Sequence, residues 1–163
     1  MTLVEIVIGM AVFAVTAAAA VSGLLHSRRL TESALRQNTA QITAHGYLEQ
    51  LKGINFSLLD TSPVKLRFGN GDLLDDEITL SPLPRAPETA IPNVRRLDVN
   101  NTPANEDDDL VLSIFVYVEP VTESSNGSGP ARAISIQYEW NEFSTIGMRT
   151  RRAFVSCIRS DML

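Results

Sequence analysis

One carboxylate, Glu5, lies in an otherwise uncharged N-terminal run, Met1 to Leu25, MTLVEIVIGMAVFAVTAAAAVSGLL. A carboxylate placed in hydrocarbon costs on the order of 3 kcal/mol, so a charge there is normally paired or functional. The nearest cation is the α-amine of Met1. Glu5 stands about one helical turn from its own amine and neutralises it poorly; a second copy of the chain, shifted along the axis, can supply the amine instead. In an apolar bundle the effective dielectric is low, so that attraction far exceeds its value in water. Losing one partner strands a buried charge at a cost of several kcal/mol. A Glu5–Met1 pair between copies therefore acts as a register device that penalises every offset but one. The plainer alternative leaves Glu5 in the headgroup zone of a membrane, close to the chain end.

Other residues offer less chemistry. Glu106-Asp107-Asp108-Asp109 is an acidic run just before an apolar stretch. Calcium favours oxygen-rich loops, with Asp107, Asp108 and Asp109 as the donors, but the run lacks the spacing of a calcium loop and also reads as a solvated acidic loop. Arg149, Arg151 and Arg152 form a basic cluster, of which Arg151 and Arg152 can reach Glu139, Glu142 or the face of Trp140. Asn126-Gly127-Ser128 and Asn100-Asn101-Thr102 fit the N-glycosylation pattern, which is common by chance. The sole cysteine, Cys157, excludes a disulfide within the chain and reads as a small buried side chain. His26 and His45, the two histidines, are too few for a multi-His metal site. No Ser-His-Asp arrangement, phosphate loop or paired-carboxylate pattern occurs. The reading is of a non-enzyme without a required cofactor.

The elements that carry these residues follow from composition. With 163 residues, 44% hydrophobic and 20% charged, the chain suits one folded domain plus an appendage rather than a disordered acidic polymer. Arg28, Arg29, Arg36 and Lys52 against Glu5, Glu32 and Glu49 set residues 1–55 at +1, so residues 56–163 hold −6 of the net −5. Such an acidic head disfavours general nucleic-acid binding. As a helix, residues 1–25 would be about 37 Å long, enough for a bilayer core of about 30 Å. A secretory signal peptide would open on a basic region, and none precedes Arg28. The positive-inside rule alone would put the Arg28–Arg29 end in the cytoplasm; a basic leader removed ahead of Met1 would reverse that.

Residues 26–54 hold no proline, and the helix is predicted to continue through them, over about residues 2–54 in all. At about 100° per residue, Leu30, Ala34, Ala40, Ala44, Tyr47, Leu48, Leu51 and Ile54 share one broad arc suited to the chain's own globular part. Leu24, Leu35 and Ile42 fall nearly opposite and suit helix–helix packing with a partner. Gly23 is the expected point of local unwinding in a packed filament, since glycine costs about 1 kcal/mol against alanine in a helix. Gly53 is the expected terminator. Beyond it, strands are predicted at Val64–Phe68, Glu77–Leu80, Val94–Val99, Leu110–Glu119, Ala131–Trp140 and Arg149–Ile158. Asn141–Met148 should turn the fifth onto the sixth, and Pro82, Pro84, Pro87 and Pro92 should mark a surface loop. The fold class is α+β, a long N-terminal helix packed against a small antiparallel β-sheet. Its parts are an apolar membrane or filament-core half (1–25), an amphipathic half (26–54) and a globular head (55–163).

The opening Met1-Thr2-Leu3-Val4-Glu5-Ile6, followed by about twenty apolar residues, resembles the processed N-terminus of type IV pilins and pseudopilins. The resemblance is strong over about 25 residues and fair to about residue 60. Met1 stands where the family more often has Phe, no proline occurs near position 22, and one cysteine cannot form the family's C-terminal disulfide loop. The resemblance implies leader removal, methylation of Met1, and a role for Met1 and Glu5 in assembly. It further implies a bacterial inner-membrane subunit, held in lipid, that polymerises with copies of itself with the help of a leader peptidase and an assembly platform. The product would be an extracellular pilus-like filament with a structural role. A type II secretion pseudopilin forming a periplasmic piston, a minor pilin, or a monomeric membrane-anchored binding module are the alternatives. Calcium near the sheet, as in some pseudopilins, and DNA contact by the arginines, as in some pili, would be secondary properties; no specific nucleic acid is expected.

Overall fold

Fifty-one residues free of proline, Leu3–Gly53, form one α-helix, α1. The computed structural model describes residues 3–67, 73–102, 109–121, 130–144 and 147–161. Contacts group the chain into two units, Met1–Gln37 and Asn38–Leu163. The described part of the first is helix alone, uninterrupted through Gly23, where an added Cβ would meet nothing within 4 Å. The helix ends on Gly53, as the sequence suggests. Asn55 then caps a short 3-10 turn, Phe56–Asp60, its Oδ1 accepting from the Ser57 amide at 3.2 Å.

Within the second unit, six strands follow the helix: β1 (Val64–Arg67), β2 (Leu73–Ile78), β3 (Asn93–Leu97), β4 (Leu110–Val121), β5 (Ala131–Ser144) and β6 (Gly147–Ser160). Among the described residues they make two antiparallel sheets, a β1–β2 pair and a sheet ordered β3-β4-β5-β6. The α+β class therefore holds, with the sheet divided in two. Two expectations need correction. The second strand begins at Leu73 instead of Glu77. The expected turn Asn141–Met148 is mostly ladder, with Asn141 opposite Thr150 and Ser144 opposite Gly147. Polar residues prolong that hairpin because their side chains pair across it: Thr150 Oγ1 donates to Asn141 Oδ1 at 3.1 Å, and Arg151 Nε to Glu142 at 2.6 Å. Gly147 opens β6 at φ +126°, a backbone setting that L side chains rarely adopt.

Period-two alternation puts Leu110, Leu112, Ile114 and Val116 of β4 and Ile134, Ile136, Tyr138 and Trp140 of β5 on one buried face. Register lines these residues into rows across the sheet, Val116–Ile136–Val155 and Ile114–Tyr138–Ala153 among them. They form one cluster with Ala40, Ala44, Leu48 and Leu51, spaced at helical intervals along α1. Leu51 is fully buried, and truncating such a side chain to alanine costs about 2–5 kcal/mol. The arc read from the sequence is shorter than expected: Leu30 and Ala34 are exposed, and helix burial starts at Ala40.

Polar side chains complete the unit. Arg132 forks onto Asp60, Nε to Oδ1 and Nη2 to Oδ2, both 2.9 Å. Arg132 and Arg159 both lie over the Phe56 ring, and Arg159 also donates to the Leu51 carbonyl at 3.3 Å, serving the end of α1. Arg95 of β3 donates to the Tyr47 hydroxyl on α1. The hydrogen bond from Arg132, aided by its charge, holds the Asp60 carboxyl below its ordinary value of 3.8. A depressed folded pKa adds stability above the unfolded value and loses it as pH falls through the folded one. Asp60 is half exposed, so the contribution is discounted for solvent to less than about 1 kcal/mol. Asp60→Asn should lose that much at pH 7 and nothing in acid below the folded value. Denaturation at both pH values, followed by the fluorescence of Trp140, the single tryptophan, checks this.

Candidate functional site

Each residue from Leu3 to Glu32 is exposed, including Phe13 at 73% and Met10 at 71%. This helix is long and apolar enough to cross a membrane. Beyond the first turn, its backbone N–H groups are satisfied within the helix, as hydrocarbon demands. The hydroxyl of Thr16 is satisfied too, donating to the carbonyls of Val12 at 3.0 Å and Phe13 at 2.9 Å, and Thr31 does the same toward Ser27 at 3.0 Å. A hydroxyl turned back on its own helix adds no unmet polar group to the apolar surface. Charge is the exception: Glu5 is exposed in the first turn of α1. No ion pair among the described residues engages it. A carboxylate in the first helical turn is favoured by the helix dipole, yet that effect of about 0.3–1 kcal/mol falls short of the cost of burying it in hydrocarbon. Met1, its expected partner between copies, lies outside the described residues.

Leu24, Leu35 and Ile42, proposed from the sequence as a partner-facing set, are 67%, 44% and 72% exposed. Gly23 sits within regular helix. His26 and His45 are exposed on α1. Of the calcium candidates, Asp109 is half-buried beside the start of β4, while Asp107 and Asp108 lie outside the described residues. Among the described residues, no group of three His, Cys, Asp or Glu is placed to hold a metal.

The basic cluster is tied into the sheet. Arg152 Nε reaches Glu139 and Arg151 Nε reaches Glu142, both at 2.6 Å, two of the contacts anticipated from the sequence. Cys157 is half-buried rather than fully so, and burial pushes its thiol up. A raised thiol pKa means less thiolate at neutral pH, the reverse of what a nucleophile needs.

Two polar residues escaped the sequence reading. Asn93 is buried and acts as a substitute strand: its Oδ1 accepts from the Thr79 amide at 2.8 Å, and its Nδ2 donates to the carbonyls of Thr79 at 3.0 Å and Ile114 at 3.1 Å. Ser81 is buried as well. Its Oγ accepts from the Ile91 amide at 3.0 Å and donates to the Ile91 carbonyl at 3.2 Å, while its own amide donates to the Val116 carbonyl at 2.8 Å. Together they fasten residues 79–81 beside β4 next to the start of β3, with Leu80 bridging Val116 in parallel. A serine beside proline and an asparagine at a strand start are weak signals in a sequence, because their partners lie 10 to 21 residues away.

No protein-family model, curated protein or solved structure matches this chain.

Proposed function

We propose that the chain is a structural subunit of a type IV pilus-like filament, held by its N-terminal helix in a bacterial inner membrane before it polymerises into an extracellular fibre. The observation that supports this most is the lone carboxylate of Glu5 in the first turn of an apolar helix that the chain itself leaves uncovered. A bare anchor needs the apolar length but has no use for the charge. A polymer needs both: stacked helices bury the apolar surface, and Glu5 paired with the Met1 amine of another copy selects one stagger. The heads, residues 55–163, then coat the helical core. Resemblance of residues 1–25 to the processed pilin N-terminus points the same way.

Two measurements test this. Electron microscopy of material sheared from producing cells should show long fibres with a helical core built from this chain. Intact mass should show a mature chain that starts at Met1 and carries one added methyl. A membrane-retained chain with no fibre and an unmethylated start would defeat the reading in favour of a monomeric anchored module.

A further inference from the structure

Outside the helix, a cleft of about 280 Å³ lies between residues 85–90 and the outer face of β4 and β5. The half-buried Phe115 lines it together with Gln137, Glu139, Arg85 and Arg152. Glu139 Oε1 accepts from Gln137 Nε2 at 2.9 Å and Arg152 Nε at 2.6 Å. Arg85 lies over the Tyr117 ring at 4.9 Å and gives its Nε to Glu119 at 2.7 Å. Each guanidinium spends only Nε on its glutamate. Among the described residues, the Nη groups of both and the Gln137 carbonyl have no hydrogen-bond partner in the chain. A second hollow, of about 200 Å³, adjoins at Glu139 and runs to Ser113, Asn141 and Thr150.

The chemistry of this lining selects among ligands. Each arginine is matched by a glutamate, so the cleft offers no net positive charge for a strong anion. It lies on the face of the sheet, where backbone groups are committed to the ladder, so an extended peptide would gain no main-chain hydrogen bonds. An apolar ligand would strand the amide, carboxylate and guanidinium groups. What remains suited is a neutral molecule with many hydroxyls and one apolar face. We propose that this cleft binds a neutral saccharide, one sugar lying on Phe115 with its hydroxyls bonded by Gln137, Glu139 and Arg152, and a second sugar reaching Asn141 and Thr150. The proposal stands apart from the filament reading, since it uses only side chains of the second unit.

The full-length chain is held in dodecylphosphocholine micelles, which carry no sugar headgroup. Saturation-transfer NMR is recorded with cellobiose, lactose and N,N′-diacetylchitobiose, with digalacturonate as the anionic counterpart. Transfer to at least one neutral disaccharide, and less to digalacturonate, is expected. Gln137→Ala and Arg152→Gln should each weaken binding about tenfold, the effect of one hydrogen bond to a charged or buried group. Ile158→Ala, on the exposed face of β6 opposite Ala133 and away from the cleft, should leave it unchanged. Trp140 fluorescence melts establish that each variant is folded, and the exposed Arg152 keeps the test open should Gln137→Ala unfold the head. Absence of transfer to every neutral sugar, preference for digalacturonate, or unchanged binding in a folded cleft variant overturns the proposal.

Discussion

On the proposed filament reading, replacing Glu5 by Gln should remove the sheared fibre and leave the chain in the membrane. Gln keeps the length of the side chain and its place in the first turn of α1 and deletes only the charge. On its own that substitution makes the monomer easier to hold in lipid, because a carboxylate in hydrocarbon costs on the order of 3 kcal/mol and an amide less. Membrane retention should therefore be equal or better. Assembly is different. In a polymer with Glu5 paired to the Met1 amine of another copy, the variant leaves that amine buried and alone, at about 3–5 kcal/mol per joint. That corresponds to roughly 10²–10⁴-fold in each joint's equilibrium constant, and the loss repeats at every subunit, so the fibre should fail as a whole. Glu5→Asp keeps the charge but withdraws it by one methylene and should leave short or few fibres. The readout is immunoblotting of sheared and membrane fractions together with microscopy. A Gln variant with fibres as abundant as wild type would remove the register role and return Glu5 to the headgroup zone.

How much of this was legible beforehand depends on the range over which each residue acts. α1 is readable to within a residue of its end because its determinants are local: no proline before Pro63, many helix formers, and Gly53 at the end. β4 is readable because it is a long run of β-formers, and β5 because Ile134, Ile136, Tyr138 and Trp140 alternate with polar residues and share one buried face. β2 was misplaced because Leu73-Leu74-Asp75-Asp76 has no alternation, and only pairing with β1 makes it a strand. The β5–β6 hairpin was read as too loose because Asn141 and Glu142 are loop-like in composition, and their cross-strand partners appear only once the register is known. Leu30 and Ala34 carry the right period yet are exposed, since periodicity gives a direction and says nothing about whether anything lies there. The cleft could not be foreseen, as Arg85 and Glu119 are 34 residues apart. Glu5 is the converse case. Its type and position stand out in the sequence, while its proposed partner belongs to another copy, and no ion pair among the described residues engages it.

The largest loss of head stability from a single polar substitution is expected at Asn93. Its amide replaces a missing stretch of strand for residue 79, taking both backbone groups of Thr79, and it also reaches the Ile114 carbonyl from a buried position. Asn93→Ala removes those partners where water has little access, and each buried group left unmet costs about 1–3 kcal/mol. A net loss of about 2–4 kcal/mol follows, a large part of the 5–15 kcal/mol that typically separates folded from unfolded. Bulk alone would predict a modest effect for so small a side chain, which is what makes the measurement informative. Asn93→Asp distinguishes lost hydrogen bonds from lost packing. Aspartate has nearly the same shape and still accepts from the Thr79 amide, but it places a carboxylate against two carbonyl oxygens. Burial and those oxygens raise its folded pKa above the unfolded one. A raised folded pKa favours the folded state below the unfolded value and disfavours it as pH rises through the folded one. The Asp variant should therefore be much weaker than wild type at pH 7 and recover part of the gap near pH 4, where its proton can donate to one carbonyl. The Ala variant should show no such recovery. Urea titrations in micelles, read by Trp140 and compared with wild type at each pH, measure both gaps. A loss below about 1 kcal/mol for the Ala variant would mean that water replaces the amide, and that residues 79–81 are held chiefly by Ser81 and the Leu80–Val116 bridge.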